Sequence, residues 1–300
     1  MSSKQTYTIE KLLQPGPDTL TAIRLLARAC EAEDHAPVRI SWGMLQSRPG
    51  LSPDFCCYLD GLLVGYLFMD HYDPKERETV ILAHPAYRRR GIGQALLAEA
   101  REACQQTGVE RIVLLCERRA ASGQAFVQRV GASFDFAEHE MVLGDYQPLN
   151  ARASQIILRR AESADLDALA SLQASSFDEP EDLVRQRLIR HWQDQASRQY
   201  IATLAAGQAD TAEPVGLVRL TVEADETGIY GLGVAPAYQG RGYGRQIVEE
   251  AIRAARSADP RRAIMLDVDV SNSRAFNLYS SCGFQVRATY DYYRLNLTGA

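Results

Sequence analysis

The sequence predicts an α/β protein built from two copies of one domain, and three observations carry that prediction. Arg88-Arg89-Arg90-Gly91-Ile92-Gly93 and Gln239-Gly240-Arg241-Gly242-Tyr243-Gly244 share one glycine spacing. Each follows a Pro-Ala-Tyr (Pro85 to Tyr87, Pro236 to Tyr238) and precedes an apolar helical pattern. Gly242 lies 151 residues after Gly91, as Pro236 does after Pro85 and Val215-Gly216 after Val64-Gly65, while Gly283 follows Gly131 by 152. A duplication with one late insertion explains these intervals. The division falls at residues 1–150 and 151–300, two lengths usual for a domain.

In the first copy, Tyr7 to Leu12 predicts a strand and Thr19 to Ala32 a helix. Strands follow over Asp54 to Tyr58 and Leu62 to Met69, and Thr79 to Ala83 leads into the glycine turn. Gln94 to Gln105 sets Leu96, Leu97, Ala100, Ala103 and Cys104 on one helical face and ends at Gly108. Arg111 to Leu115 reads as a strand and Ser122 to Val130 as a helix. Pro148 to Ser154, polar and without periodicity, is the expected linker.

The second copy repeats the order. Ile156 to Arg160 is a short strand, and Ser163 to Leu172 a helix with Ser163 and Asp165 as capping candidates. A helix near Leu183 to Trp192 precedes strands around Gln199 to Leu204 and Pro214 to Val222, with turn composition between them at Ala206, Gly207 and Asp210. Gly231-Leu232-Gly233-Val234 enters the second turn. Gln246 to Ala255 is a helix that stops before Asp259-Pro260. A strand over Ala263 to Val270, a short helix over Ser273 to Ser281 and Tyr-rich closing strands over Phe284 to Leu297 complete the copy.

Composition excludes several classes. Hydrophobic residues make up 46% and charged residues 24%, which fits packed globular domains rather than disorder. No run approaches the roughly 20 apolar residues needed to span a bilayer, and Ser2 to Gln5 is too polar for a signal peptide, so a cytoplasmic location is expected. The six cysteines show no Cys-x-x-Cys spacing and read as reduced, buried thiols, with Cys56 and Cys57 on opposite faces of a strand. The scattered histidines offer no metal cluster. A net charge of −5 gives no basic footprint for nucleic acid.

The chemistry is in the turn. Glycines let successive backbone N–H groups face one concavity, and the helix that starts there adds its unpaired donors and positive dipole end. That makes an anion site, most naturally for a pyrophosphate. The turn lacks the Gly-x-x-x-x-Gly-Lys-Ser/Thr of a P-loop, and Pro236 stands where a dinucleotide fingerprint starting at Gly231 needs glycine.

Gln239, Gly242 and Gly244, and likewise Arg88, Gly91 and Gly93, match in order and spacing the Arg/Gln-x-x-Gly-x-Gly/Ala motif of the GNAT superfamily of acyl-CoA N-acyltransferases, and the chain resembles that family over nearly its whole length. Asn272-x-x-Ala275-x-x-Leu278-Tyr279-x-x-x-Gly283-Phe284 is similar to the family's later motif. The resemblance implies two tandem GNAT folds, each with a mixed, mostly antiparallel central sheet flanked by helices. It implies acetyl-CoA as acyl donor and no metal. Gln239, Gly240, Arg241, Gly242, Tyr243 and Gly244 would hold the pyrophosphate, with Arg88, Arg89, Arg90, Gly91, Ile92 and Gly93 as their counterparts. Leu232, Gly233 and Val234 would position pantetheine and thioester, Asn272 would contact the pantetheine arm, and Tyr279 would protonate the leaving thiolate.

The copies differ at the later motif. Counted back from Gly131, Val127 stands opposite Tyr279 and Ala120 opposite Asn272, so the second copy is expected to be catalytic and the first degenerate. Gly228 occupies the place where many family members carry a strand glutamate. Glu223, Asp225, Glu226, Asp267 and Asp269 lie nearby, each read first as a surface or capping acid.

The expected reaction is direct acetyl transfer to an amine. The acidic balance favours a cationic small molecule. Tandem copies with an impaired first half are also similar to the mycothiol synthases, which act on a cysteinyl thiol-sugar conjugate. A protein that binds CoA at both turns without catalysis is the rival from another class.

Overall fold

A computed structural model describes residues 7–47, 53–70, 73–146, 154–194, 196–205, 214–222 and 225–297. The chain forms two compact units, one of residues up to Glu138 together with those from Ala288 onward, the other His139–Arg287. Residues 148–153 of the expected linker, the turn residues Ala206, Gly207 and Asp210, and Glu223 lie outside the described residues.

The first unit contains β1 (Thr8–Leu12), α1 (Pro17–Asp34), α2 (Trp42–Ser47), β2 (Asp54–Leu59), β3 (Leu62–Met69), β4 (Glu76–Ala83), α3 (Ile92–Gln106), β5 (Arg111–Glu117) and α4 (Ala121–Arg129). β6 (Ser133–Leu143) begins there and ends in the second unit. The second unit continues with β7 (Ile156–Arg160), α5 (Leu166–Phe177), α6 (Glu181–Gln193), β8 (Ser197–Leu204), β9 (Pro214–Val222) and β10 (Glu226–Val234). It then adds α7 (Tyr243–Ala258), β11 (Ala263–Asp269), α8 (Ser273–Ser281) and the start of β12 (Phe284–Asn296), whose C-terminal half belongs to the first unit.

Within the first unit the strands run β1-β2-β3-β4-β5-β12, antiparallel except for the parallel pair β4 and β5. Within the second they run β6-β11-β10-β9-β8-β7, and of the described pairs only β10 with β11 is parallel. The predicted mixed, mostly antiparallel sheet is thus present in both.

Each sheet buries both faces. In the first unit α3 packs Ile92, Leu96, Leu97 and Ala100 on one face, and α1 packs Ile23, Leu26 and Ala27 on the other. In the second, α7 covers one face with Ile247, Val248, Ala251 and Ile252, while Leu169, Leu172, Val184 and Leu188 of α5 and α6 cover the other. Cys57 and Cys56 fall in the two opposite layers, as their neighbouring strand positions require. All six cysteines are buried free thiols.

Three elements differ from expectation. β6 and α2 were not predicted, and the closing segment of the second copy is one strand of 13 residues rather than several. No glycine, proline or Asn-Gly interrupts Phe284 to Asn296, so nothing in it can turn the chain back.

Candidate functional site

Parallel partners that separate make the cleft. In the second unit β10 and β11 pair from Glu226↔Ala263 to Ile229↔Leu266, and the pairing then stops although both strands continue. In the first unit β4 and β5 pair from Glu76↔Arg111 to Thr79↔Leu114 and likewise part. Backbone groups beyond those points are released from the ladder and can meet a ligand instead.

The glycine turns close one end of each cleft. Gly91 and Gly242 are the N-caps of α3 and α7 at φ +85° and +81°, and neither helix start has a side-chain cap. A side chain at either position would be strained, and apart from the adjoining residues of the chain no described atom lies within 4 Å of where its Cβ would stand. Open space in front of uncapped first-turn N–H groups fits a pyrophosphate. Gly240 adopts φ +75°, and its counterpart Arg89 holds φ +65° without the freedom of glycine.

The side chain that opens each motif has a structural task. Gln239 Nε2 donates to the Val234 carbonyl at 3.0 Å, and Arg88 Nε donates to the Ala83 carbonyl at 3.1 Å. Both tie the turn to the last residue of the strand before it. Arg88 also makes a two-point ion pair with Asp34 of α1, at 2.7 Å on each oxygen. Arg90 and Arg241 sit over the rings of Tyr87 and Tyr238, 5.2 and 5.6 Å from the centroids.

The two clefts diverge in detail. Between Tyr230 and Gly233 β10 advances three residues while β9 advances two, from Arg219 to Leu217, so β10 bulges by one residue with Gly231 at φ +57°. On β4 the pairs run unbroken from Met69↔Thr79 to Gly65↔Ala83.

Tyr279 on α8 is 9% exposed, edge-on to Phe284, and its hydroxyl makes no hydrogen bond among the described residues. Burial pushes its pKa up to about 12, with the Cys282 thiol a second cause. Asn272 caps α8, its Oδ1 accepting from the Ala275 N–H at 3.0 Å. Val127 is buried apolar core, and Ala120 starts α4 with no side-chain cap.

Of the nearby acids, Glu226 is bound to Arg287 and Asp269 accepts from Ser271 N at 2.7 Å, both structural uses. Asp225 is exposed.

Several site residues were not named from the sequence. In the first unit a cavity of about 450 Å³ runs from Gly91 and Gly93 past Phe126 to Asp34, Arg39 and Glu117. In the second, the Tyr230 ring covers Gly228, and the Arg219 guanidinium lies 4.7 Å from that ring's centroid. The signal was register: residues 228 and 230 share a strand face. A Cβ on Gly228 would stand 2.2 Å from Tyr230 Cε2. Gly228→Ala is therefore expected to destabilise the protein by about 1–3 kcal/mol through overpacking, with the loss relieved in Gly228→Ala/Tyr230→Ala. Urea unfolding of both variants checks this.

Among the described residues no helix is long and apolar enough to cross a membrane, and no group of three His, Cys, Asp or Glu could hold a metal ion.

The chain matches the acetyltransferase (GNAT) family model over residues 20–132 and 166–284, one match around each turn. It is 30% identical over 298 residues to a mycothiol acetyltransferase of Kineococcus radiotolerans, covering 92% of this chain and 93% of that one. A mycothiol acetyltransferase of Salinispora tropica is 31% identical over 241 residues, 75% of each chain. Among solved structures, a GCN5-related N-acetyltransferase from Sphaerobacter thermophilus superposes with a TM-score of 0.78 at 18% identity, covering 98% of this chain and 96% of that one. A tandem GNAT protein from the clavulanic acid biosynthesis pathway gives 0.73 at 17%, covering 98% and 100%. These two similarities concern the fold. With a family match on each copy and relatives aligned along most of its length, the chain belongs to the acetyltransferase (GNAT) family and is an N-acetyltransferase.

Proposed function

We propose that acetyl transfer takes place in the second unit, by direct attack of an amine, and that the first unit binds acetyl-CoA without turning it over. Acetyl-CoA supplies the acetyl thioester. Gln239 to Gly244, with the uncapped start of α7, would hold its pyrophosphate, and Leu232 to Val234 its pantetheine arm. The observation that carries the assignment is the bulge between Tyr230 and Gly233, which takes backbone groups out of the ladder at the mouth of the cleft. The first unit has no such bulge, since β4 keeps a regular register against β3. Tyr279 against Val127 supports the same choice.

A primary amine of modest pKa is partly neutral at pH 7 and needs little help from a base. That fits Gly228, covered by a phenol, where a carboxylate is common in the family. The relatives at about 30% identity favour a narrower second reading, in which the amine belongs to a cysteinyl thiol-sugar conjugate of the mycothiol type. A panel of amines that includes such a conjugate, assayed by CoA release, separates the two.

The division of labour is tested by Gly242→Val against Gly91→Val. Both glycines hold nearly the same φ, so each variant controls for backbone strain in the other. Turnover is expected to fall about tenfold to a hundredfold in Gly242→Val, because the anion site no longer fixes the donor. It should change by less than about threefold in Gly91→Val. Equal losses, or the reverse order, would overturn the assignment.

A further inference from the structure

On the second unit's α5/α6 face lies a second pocket of about 290 Å³, between the last turn of α6 and the start of β8. Ser197 and Gln199, two residues apart on β8, face it together. They are 7% and 6% exposed. Ser197 Oγ and Gln199 Nε2 have no hydrogen-bond partner among the described residues. Leaving a buried polar group unmade costs about 1–3 kcal/mol, and native proteins leave few. Two such groups in one pocket call for an occupant.

The charges around them say what kind. Among the described lining residues, Arg160 and Arg198 stand against one carboxylate, Asp194. Asp194 Oδ1 already accepts from the Ala196 N–H at 2.9 Å. The C-terminal carbonyls of α6 add a partial negative charge of about half a unit, less than the charge of the two guanidinium groups. His191, also in the wall, has its pKa pushed down to about 3, first by burial and then by Arg219, Arg187 and Arg190, so it stays neutral in a positive surrounding. Amide, hydroxyl and guanidinium donors together suit oxygen acceptors that carry negative charge. The volume leaves room for a small metabolite.

The glycine turn and the β10/β11 cleft contribute none of these lining residues. Gln199 is paired in register with Arg219, and Arg219 with Tyr230. The pocket thus lies two strands, about 10 Å, from the mouth of the cleft.

We propose that this pocket binds the carboxylate or phosphate group of a small molecule, with Gln199 Nε2 and Ser197 Oγ as donors and Arg160 supplying charge at the rim. The test is calorimetric titration of the full chain with glutarate and, separately, with inorganic phosphate, in the parent, Gln199→Leu and Arg160→Ala. At least one anion should bind the parent, glutarate alone identifying a carboxylate site and phosphate alone a phosphate site. Affinity should fall about tenfold or more in each variant, the loss expected for a hydrogen bond to a charged group. Arg160 is exposed, so its variant keeps the test informative even if Gln199→Leu folds poorly. Failure of both anions to bind the parent at tens of millimolar, or equal binding to parent and variants, overturns the proposal. CoA release measured on the same preparations is a separate readout, so loss of the anion site and loss of acetyl transfer are told apart.

Discussion

Tyr279→Phe is expected to lower kcat about a hundredfold to ten-thousandfold, the range of a positioned general acid, with acetyl-CoA affinity nearly unchanged. The substitution keeps the ring against Phe284, so packing is preserved and only the hydroxyl is lost. Burial holds the phenol near pKa 12, which keeps its proton in place at neutral pH. A free thiol titrates near 8.5, so in water this phenol would be too weak an acid to protonate a thiolate. A sulfur departing in the same buried setting would be made more basic by the same desolvation, which would bring the two together. Because the phenol stays protonated far above neutrality, its ionisation should leave no limb in the pH–rate profile below about pH 10. A purely structural Tyr279 predicts near-normal kcat, and steady-state kinetics within a few-fold of the parent would remove the acid role.

Much of this was legible in the sequence because the repeat is local. Glycines at 91 and 242 both proved to be left-handed N-caps, and the Pro-Ala-Tyr before each forms a matching short turn. The helices of the glycine turns were readable from one-faced apolar spacing. What sequence could not supply was register. The bulge at Tyr230 to Gly233 depends on how β10 lies against β9, and a run such as Gly228-Ile229-Tyr230-Gly231 is silent on its partner. The same holds for Gln199, Arg219 and Tyr230, which are distant in the chain and adjacent only across strands. The motif around Arg88 does not announce its partner Asp34, which lies 54 residues away on another helix. Strand β6 did show alternation, in Ser133-Phe134-Asp135-Phe136, yet alternation names a strand and not the sheet that takes it.

That last point yields the other large effect. Ending the chain at Arg287 is expected to unfold the first unit while the second keeps its fold. The residues removed include Tyr290 and Tyr292, each 2% exposed, and Leu295 at 6%. They form seven ladder pairs with β5, from Tyr290↔Glu117 to Asn296↔Arg111. Tyr292 stacks on Phe136 with centroids 4.2 Å apart and donates to Glu138 at 2.6 Å. Asp291, 5% exposed, accepts from Arg118 and Gln124. Three large buried side chains at about 1.5–3 kcal/mol each amount to about 5–9 kcal/mol, comparable with the whole stability of a domain. Truncation also leaves β5 with an unpaired, apolar edge, which invites aggregation. Hydrogen exchange read by mass spectrometry should show amides of β2 to β5 unprotected in the truncated chain and those of β8 to β10 still slow. Joining residue 138 to 288–300 through a flexible linker should restore protection in the first unit, since it returns the missing strand to the same chain. Unchanged protection of β5 after truncation would mean that β12 does not hold this sheet together.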